Sequence, residues 1–498
     1  MGEVLAARPE GEFDTGVLVV GSGAGGAVTA AALAEAGYSV LIAEEGSLVD
    51  TSAMATHTPQ AMRLLYRNGG LSPILGGTNI GFVEGCCVGG STEINSAFWH
   101  RTPGEAIARW TDRFGVRDLT LRGMDSLFGE IEEGLGVSPV RARQHPPSSI
   151  LLKDGAEKLG WMVEEVPRVQ KTTGETSAFA AGSRRSMSHT FIPRALKAGG
   201  KLLPNCRVSR VHFQNGRVER VSAELRDAGG KHAVTIRAGA VFVCGGPTQT
   251  PALLRRSGIT RNVGNSLRIH PMLKVAALFD QPLDSHRTAL PVFQVKQFAP
   301  EITLGGSVFT PGFLAMTLSE NWDRNQAVMR EWRKMALYYV ACRGGGRGTV
   351  RVFPFTGETV VRYRLSRLDQ VQLCTGLAHL SEALFAAGAR RLYPALRSPD
   401  VLNSPEEGRK LLDHPVPLVS MGLTSVHAFS TCPMGEDESV CATNSFGQVR
   451  GFSNLYISDA SLIPDSLGAN PQGTIMALSL RNARQFIRQN DGKNLTGS

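Results

Sequence analysis

The first residues in this chain whose types and spacing could do chemistry are the glycines of Gly21-Ser22-Gly23-Ala24-Gly25-Gly26 and the carboxylate of Glu44. Gly21 allows a tight turn, Gly23 lets the backbone approach a pyrophosphate, and Gly26 lets a helix pack close to a sheet. Phosphates placed here would sit on a helix N-terminus, where free N–H groups and the helix dipole favour negative charge. Ala24 lies inside the same turn. Glu44 follows at roughly the 20-residue distance at which a carboxylate meets ribose hydroxyls. The alternative is a glycine turn used only for packing. The strand before it, the helix after it and the acid beyond favour nucleotide binding. The eight cysteines are scattered except for Cys86-Cys87. None has zinc-ligand spacing, so no metal site is expected.

The elements that must position these residues are legible. Val17–Val20 reads as a buried strand, Val28–Ala36 as an Ala-rich helix stopped by Gly37, and Ser39–Ala43 as a second strand. Further on, strands are predicted over 208–213, 218–225, 234–237 and 241–244, with turns at Asn215-Gly216 and Ala228-Gly229-Gly230. Residues 120–199 read as helices and loops. Strands are again predicted over 274–279, 292–298, 337–342, 350–353 and 359–363. Leu373, Leu377, Leu380 and Leu384 mark one helix face, ended at Gly388. A strand over 454–458 and a helix over 473–487 close the chain, with Asn470 as N-cap and Pro471 as first helical residue.

This pattern predicts an α/β fold: a Rossmann-like nucleotide domain and an α+β domain built on an antiparallel sheet. The first would be assembled from residues 12–118, 200–272 and 426–491, the second from 119–199 and 273–425. A length of 498 residues suits two large domains. The net charge of +9 comes from scattered Lys and Arg without long runs, which argues against a nucleic-acid partner. Met1–Asp14 lacks an apolar signal-peptide core, and no apolar run reaches about 18 residues. The expectation is a cytoplasmic protein without integral membrane association.

The choice of nucleotide comes from other motifs. Gly85–Pro103 reads GCCVGGSTEINSAFWHRTP, Val426–Gly435 reads VHAFSTCPMG, Asn454–Pro464 reads NLYISDASLIP, and Gly468–Leu478 reads GANPQGTIMAL. Together with Phe242–Ile259 and Asn265–Pro271, these segments resemble the signatures of the glucose–methanol–choline (GMC) oxidoreductases. They look most like the long-chain alcohol oxidase and cholesterol oxidase branches. The likeness covers roughly residues 14–490.

The resemblance implies bound FAD. Gly89, Gly90 and Ser91 would contact its pyrophosphate, Asn95 would lie beside the isoalloxazine ring, and Val208 would meet the adenine with its backbone. Asp459, followed by Ala460, would bind the ribityl chain. Some members attach FAD covalently to a histidine where this sequence has Ile94, so non-covalent binding is expected. His427 matches the family's active-site histidine and Asn470 the second catalytic position. His100 and His270 are the other histidines of interest, with His270 read as structural. The implied reaction is oxidation of an alcohol to an aldehyde or ketone. His427 would take the hydroxyl proton, FAD the hydride, and oxygen, a quinone or another acceptor the electrons. The branch likeness points to a hydrophobic alcohol. A hydroxynitrile-lyase-like protein with structural FAD is the alternative.

Overall fold

The computed structural model describes residues 2–5, 11–51, 54, 57–78, 80–140, 145–170, 184–288 and 290–490. Parts of the 119–199 segment and of Met1–Asp14, together with position 491, thus lie outside the described residues. Two sheets organise the chain. The first runs in the order Glu3–Val4, Lys201–Leu203, Val40–Ala43, Glu12–Val20, Gly230–Val243, Arg217–Asp227, Cys206–Gln214, with Leu455–Ile457 also paired to Gly230–Val243. Its core pairings are parallel: Val17 to Val20 align with Val40 to Ala43 on one side and with Ala240 to Val243 on the other.

Gly230–Val243 is one strand where the sequence predicts two, because its halves have different partners. Its first half pairs antiparallel with Arg217–Asp227 and its second half parallel with Leu455–Ile457. The first helix spans Ala24–Glu35, four residues earlier than the hydrophobic pattern begins, because the glycines themselves form its first turn. It lies against the sheet and the closing helix Gln472–Asn490, and Ala27, Ala30, Ala31 and Leu33 are fully buried. Covering on both sides explains the Ala-rich composition. A larger side chain there would overpack the core, at about 1–3 kcal/mol.

The second sheet runs Ser72–Ile74, Ile80–Phe82, Leu423–Ser425, Met272–Leu278, Met335–Cys342, Ile302–Gly306, Phe293–Val295, Val163–Glu165, with Arg391–Pro394 paired to Met272–Leu278. Only Ile80–Phe82 against Leu423–Ser425 is parallel. Two of its strands come from inside the 12–118 segment, and Val163–Glu165 comes from the stretch read as helices and loops. All three have only three residues, too few to show a period of two. The predicted strand 292–298 shrinks to Phe293–Val295, and Arg347–Val352 with Thr359–Arg364 forms a separate hairpin.

One face of this sheet carries the helix Arg367–Ala386, started by a Ser366–Asp369 capping box. Leu373, Leu377, Leu380 and Leu384 are buried there as the pattern predicts. Gly376 brings the helix against the sheet, since a Cβ on it would lie 2.3 Å from Val340 Cγ1. The opposite face, carrying Lys274, Gln294 and Tyr339, borders the cavity described next. Among the described residues no helix is long and apolar enough to cross a membrane.

Candidate cofactor and active site

A cavity of about 670 Å³ lies between the two sheets. Gly21, Gly23, Ala24, Glu44, Gly90, Ser91, Asn95, Val208, Asp459, Ala460, His427 and Asn470 all line it, although they come from distant parts of the chain. Gly26 and Gly89 stand behind its wall. A Cβ on Gly26 would lie 2.0 Å from the Gly21 carbonyl oxygen, so this glycine sets the packing of helix on turn. Gly89 and Gly90 have φ of +94° and +58°, in the left-handed region that favours glycine.

The two glycine elements face each other. A Cβ on Gly23 would meet only Gly90 Cα, at 3.9 Å. The gap is therefore open to a group with no side chain to displace, as a pyrophosphate requires. Ser22 joins the two elements: its N–H and Oγ donate to Glu44 Oε2 at 2.8 and 2.7 Å, and Gly89 N–H donates to Ser22 Oγ at 3.0 Å. Gly46 N–H donates to Glu44 Oε1 at 3.0 Å. Burial pushes the Glu44 carboxyl up, opposed by these bonds. One acceptor position of Oε1 remains for a ribose hydroxyl. Ser91 Oγ accepts from Gly85 N–H at 2.9 Å, which keeps its own O–H free to donate to a phosphate.

Asp459 is arranged differently. Its Oδ2 accepts from Gly246 N–H (2.8 Å) and Thr250 Oγ1, and its Oδ1 from Ser461 N–H (2.8 Å) and Ser461 Oγ. All four acceptor positions of the carboxylate are filled by protein donors. Asn95 is likewise engaged, donating to Gln472 Oε1 and accepting from Ala97 N–H and Arg184. It ties the second glycine element to the start of the closing helix. Val208 sits beside a register shift in its strand, on the cavity wall.

At the other end His427 and His270 form a perpendicular pair with Nδ1 atoms 3.1 Å apart. Gly468 N–H donates to His270 Nε2 at 3.1 Å, which places the His270 proton on Nδ1, facing His427. Neutral His427 then carries its proton on Nε2, which has no protein partner among the described residues. Burial, then the positive charge of Lys274, lowers His427 to about 4. Burial, then the neighbouring His427, holds His270 well below the usual histidine range. Asn470 lines the cavity, but it is not the helix cap the sequence suggests. The helix starts at Gln472, and Ile475 N–H donates to the Pro471 carbonyl, so the cap position falls on Pro471.

The sequence reading missed several residues here. Ser22 carries no signal of its own between the glycines. His57, which hydrogen-bonds Tyr66 and lines the cavity, sits in a stretch with no pattern to mark it. Lys274 did carry a signal: it is the one charge in the otherwise apolar strand Met272–Leu278. His100 hydrogen-bonds Gln294, and burial, first among several effects, lowers it to about 3. Among the described residues no cluster of three or more His, Cys, Asp or Glu could hold a metal.

The GMC oxidoreductase family models match residues 62–272 and 348–479. An uncharacterised GMC-type oxidoreductase of Sinorhizobium fredii is 38% identical over 481 residues, covering 96% of this chain and 95% of its own. A long-chain-alcohol oxidase of Arabidopsis thaliana is 24% identical over 505 residues, covering 93% of this chain and 67% of its own. The solved structure of pyridoxine 4-oxidase from Mesorbium loti shares the fold at a TM-score of 0.71 and 18% identity, covering 95% of this chain and 99% of its own. The facing glycine elements, the Ser22–Glu44 link and the cavity between the sheets fit FAD. Ile94, packed among Ala61, Leu65, Tyr66 and Cys87, offers no nucleophile for a covalent link. The chain therefore belongs to the GMC oxidoreductases and is an FAD-dependent oxidoreductase.

Proposed function

We propose that this protein oxidises an alcohol to an aldehyde or ketone. The observation that carries this reading is that His427, with an unpartnered Nε2, and Asn470 share one cavity with the glycine cradle. When bound, FAD supplies the hydride acceptor and an external acceptor takes the electrons onward. The chain's own residues have the other tasks. Asn470 holds the substrate oxygen through its amide, which cannot act as a base. His427 accepts the hydroxyl proton at Nε2. That requires the tautomer in which His427 donates from Nδ1 to His270, and it sacrifices the Gly468 bond to His270 Nε2. Gly468 lies two residues before Asn470, so oxygen binding and release of that bond would occur in one loop. In this reading Gly21, Gly23, Ala24, Gly90 and Ser91 hold the pyrophosphate, Glu44 the ribose and Val208 the adenine edge. Gly26, Gly89 and Asn95 shape the site from behind. Asp459, with its carboxylate saturated, organises the loop from which it and Ala460 meet the cofactor with main chain.

The decisive experiment is anaerobic addition of an alcohol panel while flavin absorbance is followed. Bleaching supports the reading, and its absence across the panel, with product formed by bond cleavage instead, would place the protein with lyases of this fold. Acid precipitation should leave the flavin in the supernatant. Flavin retained in the pellet contradicts non-covalent binding.

A pH dependence follows from His427. Its base form is the neutral ring, and burial together with Lys274 holds it at about 4. The rate of flavin reduction should therefore stay level as pH falls through 6.5, the ordinary histidine value, and drop only near 4. A midpoint near 6.5 would mean that another histidine governs the rate. His270→Leu should slow reduction less than loss of His427 itself, because it removes only the group that orients the base. It should change kcat more than KM. Equal changes in both would indicate a merely structural role.

A further inference from the structure

The substrate end of the cavity carries two ammonium groups that form no ion pair with a carboxylate among the described residues. Lys274 lies on the strand Met272–Leu278, and alternation along that strand turns Met272 and Lys274 to the cavity wall, which His270 also lines. Its Nζ donates to Ser307 Oγ at 2.8 Å and sits 5.3 Å from the centre of the Tyr339 ring. Lys296 lines the same wall, and the charge acting on it is that of exposed Glu164, with no ion pair formed between them. Burial lowers both lysines to about 8, which still leaves them largely protonated at neutral pH.

Among the described residues the acids on the cavity wall are all committed elsewhere. Glu45 and Glu84 pair with Arg67, and Glu320 pairs with Arg397. Glu44 and Asp459 are held by Ser22, Gly46, Gly246, Thr250 and Ser461. Arg343, the further cation on this wall, already faces Glu105 and Glu301. Among the described residues Lys274 is left with a hydroxyl and an aromatic neighbour, and Lys296 with the unpaired influence of Glu164.

An apolar alcohol filling this space would strip water from both ammonium groups and offer nothing in return. An anionic substrate would supply the missing partner. The charge of Lys274 also acts on His427, so an anion bound to it lies close to the reacting oxygen. Val308, Phe313, Met316 and Leu337 provide apolar wall beyond. We propose that the substrate is a hydroxycarboxylate, its carboxylate bound by Lys274 and Lys296 and its carbinol presented to His427 and Asn470. This rests on the alcohol-oxidation reading and replaces the hydrophobic alcohol that the branch likeness implies.

The test has two arms on the FAD-loaded protein. In the first, benzoate and benzamide, neither of them oxidisable, are titrated by calorimetry. Benzoate should bind at least tenfold tighter. Lys274→Met should remove that preference and Lys274→Arg should keep most of it. Lys296→Met serves as the second variant if Lys274→Met fails to retain FAD. In the second arm, hydroxycarboxylates and their methyl esters are compared anaerobically, and the free acids should give at least tenfold higher kcat/KM for flavin reduction. Equal binding of benzoate and benzamide, or esters that match the acids, overturns the proposal while leaving alcohol oxidation standing. Benzoate binding that depends on Lys274, without flavin reduction by any alcohol, supports the anion site and removes the alcohol reading instead.

Discussion

His427→Ala will fold, bind FAD and reduce it about 10²- to 10⁴-fold more slowly with substrate, the usual worth of a positioned general base. The variant should fold because, among the described residues, the His427 side chain has one hydrogen-bonding partner, His270 Nδ1. The main-chain bonds of residue 427, its N–H to Ser425 Oγ and its carbonyl to Ser425 Oγ and His270 N–H, survive truncation. Among the described residues none assigned to the pyrophosphate or ribose hydrogen-bonds the ring. The loss should fall on the reductive step and not on substrate binding, since the proton moves in the transition state. Asn470→Ala should cost less. With the cap position on Pro471, that change removes no helix cap, so its effect isolates the hold on the substrate oxygen. Stopped-flow reduction normalised to bound flavin separates the cases. If His427 only packs, the alanine variant loses FAD or stability, and what holoenzyme remains is reduced within a few-fold of wild type. That outcome sinks the assignment.

The parts of this site readable in sequence are those fixed by local geometry. A glycine turn between a strand and a helix has one conformation to offer, so Gly21, Gly23, Gly26 and the acid after the second strand announce themselves. The buried leucine face of Arg367–Ala386 is legible for the same reason, as its period is that of the helix. What the sequence hides is set by partners far along the chain. Asp459 reads as a free carboxylate at a strand end, and only the fold brings Gly246 and Thr250 to fill it. His270 reads as structural, and only the approach of Gly468 and His427 makes it part of a proton-bearing pair. The three-residue strands Ser72–Ile74, Ile80–Phe82 and Val163–Glu165 carry too little pattern to be seen at all. Lys274 was visible as a charge in an apolar strand. That no carboxylate among the described residues pairs with it is a property of the assembled cavity.

Gly23→Val will give a folded protein without yellow colour. Residue 23 has φ −69° and ψ −166°, extended backbone that a β-branched residue adopts readily. The added Cβ would point into the gap between the two glycine elements, with Gly90 Cα at 3.9 Å as its nearest neighbour. The apo chain therefore has room for it. The cofactor does not, because the side chain fills the place assigned to the pyrophosphate. Overpacking of about 1–3 kcal/mol corresponds to roughly 5- to 150-fold weaker binding. Displacement of the phosphates from the helix N-terminus adds to that. The variant should also lose the stabilisation that bound FAD confers, about 2.7 kcal/mol at a ligand concentration of 100 Kd. Gly26→Ala is the contrasting change. Its Cβ would fall 2.0 Å from the Gly21 carbonyl oxygen and 3.1 Å from Cys244 Cβ, so helix and sheet must separate and the fold itself should fail. Flavin content and thermal unfolding, with and without added FAD, distinguish the two glycines. Wild-type flavin content in Gly23→Val would remove the pyrophosphate from this gap. Unchanged thermal stability in Gly26→Ala would remove the packing role from its neighbour.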